Sequence, residues 1–321
     1  MRAMIMAAGY GTRLWPLTAD RAKPAVPFLN RPLIAYSLEY LARFGISDFI
    51  INLHHFPETV KAAVERHLPP NCRVQFSYEP EILGTGGALD KVRDYLTESF
   101  VILNGKIVTD IDLSAAIETH RRQNALATLV LLPNVRREKF SCVHIADDGR
   151  ILGFSKAPDP SDTQSTNSPP LMFTGIQIAE PRLLDYIPRG RFSHTTQEGY
   201  PNAIKHGEMI AAHIATGHWY EFSTLQRYLE HHLEFMKRNG QSYIAGTGLV
   251  REPHTTLSDS VLWEHVFIGH SASLLRCIVG DSVQIPAGMR LENVVIVRRD
   301  LCSQPPAGHV IGHNLIVPIT D

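Results

Sequence analysis

The 321-residue chain reads as an α/β protein with a mostly parallel sheet, followed by a short β-helical tail. Three observations predict this. The amino-terminal half alternates short apolar, β-capable runs with helical stripes, a pattern that calls for right-handed crossovers and parallel pairing. A glycine-bearing loop, Gly9-Tyr10-Gly11-Thr12-Arg13, follows directly on the first apolar run. That places it at the carboxyl edge of the sheet, where such folds bind ligands. After Asn239-Gly240 the aliphatic residues recur about every six positions, with small residues between them, which suits the stacked rungs of a β-helix.

The elements follow in order. Arg2 to Met6 is a buried first strand. Pro32 to Phe44 is a helix, with Leu33, Ile34, Ser37, Leu38, Leu41 and Phe44 on one stripe and Gly45 as its stop. Asp48 to Leu53 is a strand, Pro57 to Leu68 a helix, Arg73 to Tyr78 a strand, Gly86 to Leu96 a helix and Phe100 to Leu103 a strand. Ala125 to Leu132 and Val143 to Ala146 are further strands, the second followed by an Asp147-Asp148-Gly149 turn. Ser155 to Pro170, rich in Pro, Ser, Thr and Asp, is a surface loop. Thr174 to Ala179 is a strand and Leu225 to Arg238 a polar-faced helix. The expected domains are residues 1–238 and 239–321, the second supporting assembly rather than chemistry. Its rungs are clearest around Ile268-Gly269, Val279-Gly280-Asp281 and Ala287-Gly288.

Composition excludes several classes. Lys and Arg total 31 against 32 Asp and Glu, a net charge of -1, which argues against a nucleic-acid or membrane-surface binder. Cys72, Cys142, Cys277 and Cys302 have no metal-ligand spacing and read as free thiols in a reducing cytoplasm. The amino terminus enters a strand with no signal peptide, and no apolar run approaches the roughly 20 residues of a membrane span. His54-His55 and His231-His232 are adjacent pairs that do not share a helix face.

The opening loop carries the chemistry. Ala8, Gly9, Gly11 and Thr12 bring backbone N–H groups together, and glycine lets phosphate approach without a Cβ in the way. Arg13 adds a cationic fork suited to phosphate oxygens, and Lys23 a mobile charge. A P-loop is excluded because its Gly-Lys-Ser/Thr is missing. The dinucleotide fingerprint fails at its third glycine, which is Leu14. Gly9-Tyr10-Gly11-Thr12-Arg13-Leu14-Trp15-Pro16-Leu17-Thr18, with Lys23-Pro24 downstream, resembles the signature of the sugar-1-phosphate nucleotidyltransferases. Ala22 replaces the first proline of that family's Pro-Lys-Pro. A second run, Glu79-Pro80-Glu81-Ile82-Leu83-Gly84-Thr85-Gly86-Gly87, is similar to the family's base-binding segment. The tail, around Val279-Gly280-Asp281, looks most like the mannose-1-phosphate guanylyltransferase branch.

The resemblance implies a Rossmann-like catalytic domain, a left-handed β-helix and a homo-oligomer. It implies transfer of a nucleotidyl group from a nucleoside triphosphate to a sugar 1-phosphate, with GDP-mannose the leading product. Arg13 would meet the departing pyrophosphate and Lys23 the reacting phosphate. Ala8, Gly9, Gly11 and Thr12 would cradle the nucleotide, and Glu79, Gly84, Gly86 and Gly87 would border its base and ribose. Thr174 and Gly175 match the sugar-side strand.

The rest of the family site is altered. Lys106 stands in Leu103-Asn104-Gly105-Lys106 where the family has a Mg²⁺-binding Asp, and a lysine cannot ligate a metal. Asp110 or Asp112 could substitute, although Asp112 reads equally well as a helix cap. Glu221 takes the place of the second metal Asp. Lys156-Ala157 replaces a Glu-Lys that holds the sugar phosphate, and Ser141 a sugar-side glycine. Two functions therefore follow: an active nucleotidyltransferase, or a weakly active or inactive homologue that binds nucleotide sugar for regulation.

Overall fold

A computed structural model describes residues 1–155, 169–302 and 305–320. The chain forms two compact units. The first comprises Met1–Gly9, Tyr36–Pro57 and Val64–Trp219. The second gathers Tyr10–Ala35, Glu58–Ala63 and Tyr220–Asp321. The boundary drawn from sequence at residue 239 falls inside this second unit. The signature segment after Gly9 thus groups with residues 220–321, against which Phe28 packs.

The first unit is built on a nine-stranded sheet. One parallel run within it comprises β1 (Arg2–Met6), β2 (Asp48–Leu53), β3 (Arg73–Tyr78) and β4 (Phe100–Asn104) in the order β3-β2-β1-β4. The order reverses between β1 and β4, so the crevice for a ligand opens beyond their carboxyl ends. Antiparallel to β4 runs β5 (Leu171–Ala179), a longer strand than the sequence pattern from Thr174 suggests. Met4, Ile50, Phe100, Ile102 and Leu129 form the centre of the core. Burying such side chains contributes roughly 2 kcal/mol each.

Two helices show why their bounds fall where they do. α1 (Leu33–Arg43) stops before Gly45, whose φ of 76° no β-branched or bulky residue would take easily. The helix expected from Gly86 to Leu96 begins earlier, as α2 (Gly84–Lys91), and gives way to a 3₁₀ turn, Arg93–Tyr95.

In the second unit, Phe28 is buried against Phe222, His232 and Phe235, with ring centroids 4.7, 4.7 and 5.2 Å away. α3 (Leu225–Asn239) is capped by Thr224 at one end and by left-handed Gly240 at the other. Beyond it short strands of successive turns pair in parallel within three sheets. Ile244 lies opposite Val261, Val261 opposite Ile278, and Ile278 opposite Val295, a step of 17 residues. The step is shorter than three six-residue rungs. Its corners repeat likewise: Asp259, Arg276 and Asn293 share positive φ, as do His265 and Ser282. Short polar side chains tolerate that conformation best, and Arg276 is the exception. A hairpin of His309–Ile311 and Asn314–Pro318 pairs antiparallel with the last rung, Val294–Arg298.

His232 is fully buried, and burial above all lowers its pKa to about 3. Its Nε2 accepts from the Leu29 amide at 3.2 Å, while Nδ1 donates to the Tyr228 carbonyl at 2.8 Å. The ring must therefore stay neutral when folded. The unfolded chain takes up a proton below about pH 6.5 that the folded chain refuses, so this group removes stability as pH falls. Urea unfolding at pH 7 and pH 5 should show the protein losing about 2 kcal/mol more than a His232→Gln variant. Equal losses would mean that His232 titrates normally.

Candidate active site

The chain leaves β1 through Ala7-Ala8-Gly9, at the reversal of strand order. The Ala7 amide donates to Asn52 Oδ1 at 2.7 Å. Asn52 Nδ2 donates to Glu79 Oε1 at 2.7 Å, and Glu79 Oε2 accepts from the Leu83 amide at 2.9 Å. Asn52 is 4% exposed and Glu79 is fully buried. This relay joins the loop after β1 to the second glycine-rich motif. Glu79, taken from sequence as a nucleotide contact, spends both carboxylate oxygens on protein donors. Asn52 carries no motif, and its place at the carboxyl end of β2 was its only sequence signal.

The glycines separate into different roles. Gly9 is exposed, and a Cβ built there would meet nothing within 4 Å. Space is open at this backbone. Gly84, Gly86 and Gly87 are crowded by the protein itself. A Cβ at Gly84 would lie 2.4 Å from the Ser193 carbonyl oxygen, at Gly86 2.6 Å from Ser193 Oγ, and at Gly87 2.6 Å from the Arg191 oxygen. The Gly86 amide donates to the Ser193 carbonyl at 2.8 Å, and Ser193 N–H donates to Leu83 O at 3.0 Å. Thr85 Oγ1 accepts from the Thr195 amide at 3.0 Å. The Arg191–Thr195 segment therefore fixes the start of α2, a contact that no local pattern marks.

In the second unit the signature continues through a 3₁₀ turn, Thr12–Leu14. Gly11 has φ 70°, and a Cβ there would lie 3.0 Å from Thr18 Cγ2 and 3.3 Å from Lys23 Cβ. The Lys23 stem thus runs across Gly11. Thr18 Oγ1 donates to the Gly11 carbonyl at 3.2 Å. Thr12 and Arg13 are exposed. A fixed backbone carrying an exposed guanidinium and a lysine suits phosphate oxygens.

Lys106 lies just beyond β4, and Gly105 N–H donates to the Met6 carbonyl at 3.0 Å. Its backbone is therefore fastened to the end of β1. The carboxylates considered for a metal each have other partners. Asp110 Oδ1 accepts from the His218 amide at 2.6 Å, and its Oδ2 pairs with His218 Nδ1 at 2.7 Å. Burial works against the Asp110 charge, but the bonds to His218 prevail and hold its pKa below the usual carboxylate value. Asp112 caps the helix Leu113–Arg122 through the Ser114 amide at 2.9 Å. Glu221, in the second unit, is 3% exposed and accepts from Ser223 Oγ at 2.5 Å. Among the described residues no three His, Cys, Asp or Glu side chains are gathered to hold a metal ion. Lys106, where the resemblance implies a Mg²⁺-binding Asp, has no acceptor to offer a metal.

On the expected sugar side, Thr174 is buried and donates to the Val130 carbonyl at 2.8 Å, while its own carbonyl accepts from Trp219 Nε1 at 2.9 Å. Gly175 has φ 84°, and a Cβ there would lie 2.2 Å from Asn104 Nδ2. The strand can pass Asn104 only as glycine. Ser141 is exposed just before the strand Cys142–Ile145. Lys156 and Ala157 lie outside the described residues.

The sequence model of the nucleotidyl transferase family matches residues 2–238. The chain belongs to that family. A UTP–glucose-1-phosphate uridylyltransferase of Synechocystis is 31% identical over 64% of this chain and 56% of its own length. A mannose-1-phosphate guanyltransferase beta-B of Xenopus laevis is 29% identical over 71% of this chain and 63% of its own. The chain thus spans less than two thirds of either relative. The mannose-1-phosphate guanylyltransferase of Mycobacterium tuberculosis is 23% identical over 90% of this chain and 82% of its own. A Bacillus anthracis structure described as a glucose-1-phosphate thymidylyltransferase superposes with a TM-score of 0.62 at 20% identity, over 72% of this chain and 94% of that one. It shares the fold.

The Asn52 relay can be tested directly. Asn52→Leu removes partners from the Ala7 amide and the Glu79 carboxylate, both buried, and should lower stability by about 2–4 kcal/mol. Denaturant unfolding measures this, and a loss below 0.5 kcal/mol would show that water or a rearranged side chain replaces the relay.

Proposed function

We propose that the protein transfers a nucleotidyl group from a nucleoside triphosphate to a sugar 1-phosphate, releasing pyrophosphate, with GDP-mannose as the product. The observation that carries the reading is the open, exposed Gly9 backbone beyond β1 at the reversal of strand order, in a chain of the nucleotidyl transferase family. A sugar-phosphate oxygen attacks the α-phosphorus in line, and the bond to the pyrophosphate oxygen breaks. Such a reaction asks mainly for positioning and charge stabilisation. Arg13 offsets the charge of the leaving pyrophosphate, Lys23 that of the reacting phosphate. Ala8, Gly9, Gly11 and Thr12 offer backbone to the nucleotide, and Glu79, with Gly84, Gly86 and Gly87, shapes the segment beside the base. Mannose and guanine are favoured by the guanylyltransferase relatives that extend over most of the chain. The uridylyltransferase relative keeps glucose and uridine in the comparison. The same reading makes residues 1–238 the chemical part and 239–321 a left-handed β-helix, in a cytoplasmic homo-oligomer.

Lys106 favours a second reading, a homologue that binds nucleotide or nucleotide sugar with little turnover. A lysine offsets phosphate charge but cannot chelate two phosphates. Pyrophosphate release from each of the four common triphosphates, with mannose, glucose and other sugar 1-phosphates, distinguishes the two. Calorimetric titration of the same triphosphates reports binding without turnover. No release and no binding would defeat both readings.

Two variants sharpen the test. The Cβ of Gly9→Val has no protein atom within 4 Å, so the variant should leave the melting temperature nearly unchanged and weaken triphosphate binding at least tenfold, about 1.4 kcal/mol. Unchanged affinity would remove Gly9 from the site. Gly11→Val would instead strain a left-handed backbone, so its effect would not isolate the ligand. The unmodified protein should turn over well below the usual 1–10³ s⁻¹ range, with little Mg²⁺ dependence. Lys106→Asp should make binding Mg²⁺-dependent. Brisk Mg²⁺-dependent turnover by the unmodified protein would overturn this.

A further inference from the structure

The segment around Lys23 is fastened to the parallel rungs of the tail, within the second unit. Arg21 lies two residues before Lys23. Its Nε and Nη2 fork onto Asp20 at 2.8 and 2.9 Å. The same Nη2 reaches Asp281 Oδ2 at 2.7 Å. The guanidinium carbon sits 4.8 Å from the Trp263 ring centroid. Asp281 is itself fixed, because its Oδ1 accepts from the Glu264 amide at 2.9 Å.

Trp263 is 3% exposed, and its indole N–H donates to the Tyr228 hydroxyl at 2.9 Å. That hydroxyl donates to the Pro27 carbonyl at 2.5 Å. Asn30 Nδ2 donates to the Ala245 carbonyl at 2.7 Å. The stretch from Asp20 to Asn30 is thus tied to Asp281, to Trp263 through Tyr228, and to Ala245, which fall on successive 17-residue turns of the tail. Lys23 opens the 3₁₀ turn Lys23–Ala25 between the first two ties.

Arginine suits this place for physical reasons. One planar guanidinium can fork onto one carboxylate, bridge to a second and stack on an indole at once. Lysine could keep one ion pair but neither the fork nor the stacking geometry. Two carboxylates, Asp20 and Asp281, converge on this single cation, and without it they would repel.

We infer that Arg21 is a positioning residue, which uses Asp281 and Trp263 of the tail to set the backbone from which Lys23 crosses Gly11. The tail then serves the reactive segment of its own chain as well as any assembly. The effect on turnover rests on the nucleotidyl-transfer reading; the positioning itself does not.

The test uses the full chain with Arg21→Met, Arg21→Lys and the nearly isosteric Asp281→Asn. Amide hydrogen exchange is followed at Val26, which donates to the Lys23 carbonyl, and at Phe267, which donates to Val283 within the rungs. Arg21→Met and Asp281→Asn should speed exchange at Val26 at least tenfold and leave Phe267 within twofold. In pyrophosphate-release assays both should lower kcat at least tenfold while KM for the triphosphate moves less than threefold. Arg21→Lys should recover part of the rate, and Arg21→Met with Asp281→Asn should be no slower than Arg21→Met alone. Wild-type exchange at Val26 in folded Asp281→Asn would overturn the inference, as would losses that simply add. If the unmodified protein releases no pyrophosphate with any pair, the functional reading fails and the exchange result still decides the positioning. Should Arg21→Met fail to fold, Asp281→Asn and Arg21→Lys carry the test.

Discussion

A carboxylate without exposure to water must find donors within the protein, and Glu79 finds them in Asn52 and the Leu83 amide. Leaving such a group unpaired costs several kcal/mol, so the backbone at Leu83 is held where it can reach. Asn52 needs an acceptor for its N–H and a donor for its oxygen, and the Ala7 amide supplies the second. One buried pair of side chains therefore fixes the end of β1 relative to the start of α2. The Gly86 and Leu83 contacts with Ser193 add a third segment to the same frame. The exposed Gly9 backbone inherits its position from that frame.

Glycine serves three different ends along these loops. Gly11 is needed for its left-handed backbone and for the passage of Lys23. Gly84, Gly86 and Gly87 are needed because another stretch of backbone lies against them. Only Gly9, among these five, borders open space. A flat base approaching Gly86 and Gly87 is the reason that sequence alone suggests for the absence of side chains there. In the direction a Cβ would take, the Arg191–Thr195 segment lies against them.

The alternating strands and helices were legible because their periods are local. β1, β2, β3 and the helix Pro57–His67 fall within a residue or so of their expected bounds. The motif loops were legible for the same reason, since each lies on a short continuous run. What could not be read was any pairing between distant residues. Asn52 is one polar residue ending an apolar strand, and nothing local marks it as the partner of Glu79. The 17-residue step was blurred because some rungs are shorter than six residues, a difference that only register between turns reveals. The grouping of Tyr10–Ala35 with the tail was hidden likewise, because Arg21 and Asp281 stand 260 positions apart.

The altered residues look different once their partners are known. Asp110 wraps its carboxylate around the amide and ring of His218, and Gly217, with φ 125°, lets the backbone come close enough. Asp112 holds the first turn of a helix. Glu221 is buried with Ser223 beside it. Each carboxylate is thus engaged in a structural task. Lys106 sits in a backbone fastened to β1, because the Gly105 amide donates to the Met6 carbonyl. By contrast Arg13 is exposed and the Gly9 backbone is open.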